Sequence, residues 1–253
     1  MNYIGIDIGS TCAKTVVLNE KKEFIQEFVQ PTGWSSVDTA EEILQKLKLA
    51  GINLSDDPSC CVATGYGRIS VPYADKAVTE ITCHALGAVH LFHQPDLTVI
   101  DIGGQDTKII QIEQGFVKDF IMNDKCAAGT GRFLEVMANT LSLRPNEMFE
   151  LARLGSDTTI SSMCTVFAES EVIGLIGKGE PKENIAYAVV DSTIRKVTAQ
   201  LSRMNGEMST FCLTGGLCEC EYIREALSKK LGKEVISSRM PATPVRSVPH
   251  SVR

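Results

Sequence analysis

An octet that occurs twice restricts this chain more than any other feature. Asp7-Ile-Gly-Ser-Thr-Cys-Ala-Lys14 and Asp101-Ile-Gly-Gly-Gln-Asp-Thr-Lys108 share the Asp, the Ile, the Gly and the closing Lys, about 94 residues apart. Each copy follows a strand pattern, over residues 2–8 in the first half and 97–102 in the second. Each precedes two more strands, at 15–19 and 24–29 in one half and at 107–112 and 115–121 in the other. The short breaks predict a three-stranded meander in each half. A repeat of this length indicates duplicated lobes rather than a solenoid. In the first half, helices are predicted over 37–49 and 78–93. A short buried strand at 60–63 separates them and ends at Thr64-Gly65-Tyr66-Gly67. In the second half, helices are predicted at about 130–142, 145–154, 166–177, 182–204 and 219–231. A strand at 210–214 runs into Thr214-Gly215-Gly216. Strands alternating with helices predict a layered α/β fold.

The octet has a chemical reading. A strand that ends in Asp-Ile-Gly and turns tightly can aim backbone N–H groups at a phosphate, and glycine permits both the turn and the close approach. An Asp at the strand end suits a hydrated Mg²⁺. Two such hairpins facing each other would clamp a triphosphate, and in-line transfer needs mainly positioning and charge neutralisation. Asp7 and Asp101 are therefore the candidate metal-side carboxylates, and Gln105 a candidate for orienting the attacking water. Gly9, Ser10, Thr11, Lys14, Gly103 and Gly104 are the candidate phosphate contacts. One Asp-x-Gly hairpin reads as an ordinary glycine turn. The pair outweighs that reading, because a third glycine turn at Gly215-Gly216 follows a strand, opens a helix and suits an adenosine pocket. No Walker loop or dinucleotide fingerprint is present.

Composition narrows the partners. Among 253 residues, the net charge of −6 and the lack of a Lys/Arg run exclude general nucleic-acid binding. No apolar run reaches roughly 18 residues, so no membrane span is expected. The N-terminus enters a strand directly without a signal-like segment, which predicts a cytoplasmic protein. Nine cysteines, an odd count, argue against a disulfide scaffold. Most cytosolic cysteines are small buried hydrophobes.

These motifs resemble a known superfamily. Asp7-Ile-Gly-Ser-Thr, Asp101-Ile-Gly-Gly-Gln-Asp-Thr-Lys108 and Leu213-Thr-Gly-Gly-Leu217 are similar to the phosphate and adenosine motifs of actin-like ATPases. The resemblance implies duplicated lobes of ribonuclease H-like, sugar-kinase type with a nucleotide cleft between them. Met122-Asn-Asp-Lys-Cys-Ala-Ala-Gly-Thr-Gly-Arg-Phe-Leu-Glu135 and Ser162-Met-Cys-Thr-Val-Phe-Ala-Glu-Ser-Glu-Val172 are more specific. They resemble the activators of 2-hydroxyacyl-CoA dehydratases and the related ATPase subunits of benzoyl-CoA reductases. The likeness covers residues 1 to about 236, with lobes expected at 1–94 and 95–236. The tail at 237–253, which carries Pro241, Pro244 and Pro249, is expected to be unstructured.

The resemblance implies one [4Fe–4S] cluster shared by a homodimer, with Cys126 and Cys164 supplied by each chain. Both cysteines precede predicted helices, where partial positive charge favours thiolate. The turn Gly129-Thr130-Gly131 after Cys126 is expected on the phosphate side. The resemblance further implies bound ATP or ADP with Mg²⁺, and an electron accepted from a ferredoxin or flavodoxin. That electron would pass at low potential to an acyl-CoA dehydratase or reductase. A small-molecule kinase or a binding module of the same fold would lack the two cysteine segments. The remaining seven cysteines read as structural. His84, His90 and His93 read as surface or capping residues.

Overall fold

Ile4, Ile6 and Ile8 on the first octet strand, and Leu97, Val99, Ile100 and Ile102 on the second, are buried. The computed structural model describes residues 1–55, 58–161, 164–204 and 210–237. The chain divides into two compact units. One comprises Met1–Pro95 with Gly115–Val117, and the other Asp96–Gln114 with the described residues from 118 onward.

The first unit contains β1 (Asn2–Ile8), β2 (Cys12–Leu18), β3 (Phe24–Pro31), α1 (Ser36–Leu49), β4 (Ser59–Thr64), β5 (Lys76–Ala77) and α2 (Glu80–Phe92). Its sheet order is β3-β2-β1-β4-β5, with β1 antiparallel to β2 and parallel to β4. Ile4, Ile6 and Ile8 of the central strand pack with Ala40, Ile43 and Leu47 of α1. Ser35 caps α1 by accepting from the Asp38 N–H, satisfying one of the donors a helix start leaves open.

The second unit contains β6 (Leu97–Ile102), β7 (Thr107–Glu113), β8 (Phe116–Asn123), α3 (Gly131–Thr140), α4 (Pro145–Ala152), α5 (Thr165–Gly177), α6 (Lys182–Leu201), β9 (Thr210–Gly215), α7 (Glu221–Leu231) and β10 (Val235–Ser237). The sheet order is β10-β9-β6-β7-β8, which is the first sheet's order with the numbering carried over. The fully buried β6 packs with Phe133 and Leu134 of α3, and with the stripe Val189, Ile194 and Val197 along α6.

The duplication is also one of register. Asp7 pairs with Lys14 and Asp101 with Lys108 across the antiparallel ladders. Across the parallel ladders, Asp7 lies opposite Thr64 and Asp101 opposite Thr214. The dipeptides Thr64-Gly65 and Thr214-Gly215 are therefore counterparts, each closing the strand beside the octet strand.

Several boundaries differ from the sequence expectation. The second strand begins at Cys12, because ladder pairing continues past the apolar run to Ile8–Ala13. The helices expected to reach 142 and 204 stop at Thr140 and Leu201. The short strands β5 and β10 carry too few residues to show a period. His84 is not a surface residue. It is 6% exposed, on the α2 face that also buries Cys83, Ala85 and Ala88. Apart from Ser237, the tail expected to be unstructured lies outside the described residues.

Gly65 and Gly215 both have left-handed backbones, with φ of +84° and +85°. A Cβ on Gly215 would lie 2.5 Å from the Ile102 carbonyl oxygen and 2.6 Å from Asp101 Oδ1. A Cβ on Gly216 would meet nothing within 4 Å. Gly215→Ala is therefore expected to destabilise the protein by about 2–4 kcal/mol, combining backbone strain with overpacking. Gly216→Ala should stay within about 1 kcal/mol of wild type. Thermal unfolding of the two variants checks the contrast.

Candidate nucleotide and thiolate site

Each octet forms a tight hairpin. In the first unit the Gly9 N–H donates to the Cys12 carbonyl at 3.1 Å. Thr32 braces the turn from β3: its N–H donates to Thr11 O at 3.1 Å and its hydroxyl to Gly9 O at 2.7 Å. Ser10 and Thr11 are left exposed at the tip. Asp7 lies beneath it, 6% exposed, with Lys14 Nζ 3.6 Å from its Oδ2.

The second hairpin repeats this plan with a tighter charge cluster. The Gly103 N–H donates to Asp106 O at 2.9 Å. Lys108, 2% exposed, places Nζ 2.9 Å from Asp106 Oδ1 and 3.4 Å from Asp101 Oδ2. The Thr214 hydroxyl donates to Asp101 Oδ1 at 3.1 Å. Gly104 and Gln105 are exposed at the tip, where Ser10 and Thr11 stand in the first copy. Two buried carboxylates flank one buried ammonium.

The turn Gly129-Thr130-Gly131 meets the second hairpin through its backbone. The Gly131 N–H donates to Gly103 O at 2.9 Å and the Arg132 N–H to Gly104 O at 2.8 Å. A helix start exposes unsatisfied N–H groups, and here the hairpin carbonyls take two of them. The Thr107 hydroxyl, next to the hairpin on β7, donates to Gly129 O at 2.6 Å. Thr130, fully buried, turns its hydroxyl back to Ala127 O at 2.6 Å. Asn123 Nδ2 donates to Cys126 O at 2.8 Å and to Ala128 O at 3.1 Å. Hydrogen bonds thus run from the hairpin through residues 129–131 to the loop that carries Cys126.

Cys126 is half-buried. Cys164 is exposed at the N-cap of α5, with its carbonyl accepting from the Ala168 N–H at 2.9 Å. The helices that follow the two cysteines pack together: Phe133 and Ala138 of α3 share a core with Ala168 and Val172 of α5. The Thr140 hydroxyl also reaches Glu169 Oε1 at 3.2 Å. No disulfide joins any of the nine cysteines. Burial pushes the thiol of Cys61 up to about 12, and raises those of Cys60, Cys83, Cys212 and Cys220 as well. A metal takes thiolate, so burial disfavours these five as ligands. Half-buried Cys126 and exposed Cys164, each leading into a helix, are a donor set that fits half of a four-thiolate cluster.

The sequence reading missed Thr64 and Gly65, the Thr214 bond to Asp101, the Asp106–Lys108 pair and the Asn123 clamp. The repeated Thr-Gly after a short apolar strand was a visible signal for the first two. The Asn directly upstream of the cysteine loop carried no signal of its own.

Burial raises the carboxyl of Asp7 above its ordinary value of 3.8; the ammonium of Lys14 opposes this but is outweighed. The folded chain therefore holds this proton more tightly than the unfolded chain. Stability from this group is fully present below 3.8 and is lost as pH rises through the raised folded value. Asp7→Asn, free of magnesium and nucleotide, should melt above wild type at pH 7, with the gap closing toward acid pH. A variant that melts lower at pH 7 would show that the Lys14 pair outweighs burial.

Several known proteins are similar to this chain. The (R)-2-hydroxyglutaryl-CoA dehydratase activating ATPase of Acidaminococcus fermentans is 42% identical over 238 residues, spanning 93% of this chain and 90% of the relative. The activator of lactoyl-CoA dehydratase of Anaerotignum propionicum is 40% identical over 245 residues, spanning 96% and 93%. The structure of the activator of 2-hydroxyisocaproyl-CoA dehydratase from Clostridium difficile with bound ADPNP superposes with a TM-score of 0.84 at 32% identity, covering 98% of this chain and 92% of that one. A ROK family glucokinase from Streptomyces griseus, with a TM-score of 0.60 at 15% identity over 98% and 97% of the chains, shares the fold alone. The expected α/β lobes of actin-like, sugar-kinase type are those of the present chain. The model of the BadF/BadG/BcrA/BcrD ATPase family matches residues 4–245, and the chain belongs to that family.

Proposed function

We propose that this protein is an ATP-hydrolysing iron–sulfur activator that delivers a low-potential electron to a 2-hydroxyacyl-CoA dehydratase. The observation that carries this reading is the pair of hydrogen bonds from Gly131 and Arg132 to the carbonyls of Gly103 and Gly104. They join an ATPase hairpin to a cysteine loop that a kinase of this fold has no use for.

In this reading Asp7 and Asp101 hold hydrated Mg²⁺. The tips around Gly9, Ser10, Thr11, Gly103 and Gly104 receive the phosphates, with Lys14 neutralising charge. Gln105 orients the attacking water; Gly215 makes the turn against β6, and Gly216 leaves room for the adenosine. Gly129 and Gly131 brace the second hairpin through their backbone, and Thr130 between them ties the turn to Ala127. ATP becomes ADP and phosphate, with charge neutralisation rather than covalent chemistry lowering the barrier. Cys126 and Cys164 would hold a [4Fe–4S] cluster, which when bound supplies one-electron transfer between a ferredoxin or flavodoxin and the dehydratase.

One chain supplies two of the four thiolates such a cluster takes. A second copy would supply the others. The face of α5 beside Cys164 suits that copy: Val166 and Phe167 are each 67% exposed and Ile173 is 57% exposed, an apolar surface on a helix whose other side is core. We place the homodimer contact there, in a cytoplasmic protein. Among the described residues, no helix is long and apolar enough to cross a membrane.

Two measurements test the reading. Anaerobically purified protein should carry about four iron and four sulfide per dimer. Cys126→Ser and Cys164→Ser should each lose most of the iron while keeping their helix content; full iron in either variant refutes the assignment. Gln105→Ala should lower ATP turnover by roughly 10²-fold with little change in nucleotide affinity, as removal of a positioning group does. Unchanged turnover would remove Gln105 from the mechanism.

A further inference from the structure

Behind the Cys126 loop, within the second unit, lies a cavity of about 370 Å³. Its lining includes Asn123, Gly129, Ser161, Lys196, Gln200 and Arg203. No residue of either Asp-Ile-Gly hairpin lines it, nor does Gly215 or Gly216. It adjoins the turn at Gly129 that braces the second hairpin, without reaching the hairpin tips. Its volume falls at the small end of ligand pockets.

The charges in it are unbalanced. Arg195, also in the wall, is occupied: its Nε lies 2.8 Å from Asp191 Oδ2, and an Nη donates to Ile160 O at 2.8 Å. Lys196 and Arg203 have no ion-pair partner among the described residues. Gln200 is 6% exposed and its Oε1 is buried without a hydrogen-bond partner. Two cations without an ion-pair partner among the described residues, and an apolar wall from Phe133 and Ala199, define a complementary molecule. It is anionic and it has a short carbon skeleton.

We propose that this cavity binds a small organic anion, a phosphate ester or hydroxycarboxylate, and that the bound anion stiffens the Cys126 loop. Asn123 both lines the cavity and holds the Cys126 carbonyl. Gly129 packs so closely on Lys196 that a Cβ there would lie 2.9 Å from Lys196 Cγ. A ligand drawing Lys196 inward therefore acts on the cysteine loop directly. The inference does not depend on the cluster assignment, because binding can be read on the polypeptide alone.

The test is calorimetric titration of the full chain, saturated with ADP so that the nucleotide site is filled, using glycerol 3-phosphate and malate as separate probes. At least one should bind saturably with a Kd of about 1 mM or tighter. The preferred probe distinguishes phosphate from carboxylate recognition. Lys196→Gln/Arg203→Gln should weaken binding roughly tenfold or more, as loss of charge-assisted hydrogen bonds does. Backbone amide exchange over residues 123–131 should slow when the probe is bound. If the double variant fails to fold, Lys196→Gln alone serves instead, and it should weaken binding severalfold. Absence of saturable binding by both probes up to about 10 mM, or undiminished affinity in the variants, overturns the proposal.

Discussion

The contact on which the rest of the second unit depends is the docking of the α3 N-terminus onto the second Asp-Ile-Gly hairpin. A helix start is usually an anion site, because its N–H groups and dipole both face outward. Here the N–H groups of Gly131 and Arg132 point at the carbonyls of Gly103 and Gly104 instead. The hairpin is thereby fixed from behind. The Cys126 loop, held by Asn123 and Thr130, is fixed to the same structure. A shift of the hairpin by a fraction of an ångström cannot be absorbed in solvent; it has to be passed to the loop or resisted by the core beneath α3.

The two copies of the octet have diverged in a way that suits this division of labour. In the first unit Lys14 is partly exposed and pairs loosely with Asp7 at 3.6 Å. In the second, the position matching Cys12 is Asp106, and Lys108 is sealed between two carboxylates. A buried ion cluster contributes little net stability but is costly to break, so it holds one geometry. The rigid copy is the one attached to the cysteine loop.

Much of the fold was legible because it rests on duplication and on long apolar periodicity. The strands around Asp7 and Asp101 and the buried stripe of α6 could be read directly from the residue pattern. The register that pairs Thr64-Gly65 with Thr214-Gly215 could not, because parallel neighbours are far apart in sequence and the matching dipeptide is only two residues long. The role of Gly129-Thr130-Gly131 was legible as a place but not as a bonding pattern. The glycines suggested phosphate, while the backbone gives the Gly131 N–H to a carbonyl. His84 was misplaced because three histidines on one apolar helix look alike until packing decides which face is inside. Cys126 and Cys164 were set apart by the segments around them; burial adds the reason that Cys61 and Cys212 are poor ligands.

The central claim is that the nucleotide hairpin and the Cys126 loop move as one body. Its most direct test is the midpoint potential of the bound iron–sulfur group, measured with ADP and with a non-hydrolysable ATP analogue. The potential should differ between the two states by about 60 mV or more, one decade in equilibrium constant for a one-electron couple. The difference should shrink in Thr107→Val, which removes the hydrogen bond to Gly129. Identical potentials in the two nucleotide states of the wild-type protein would contradict the account.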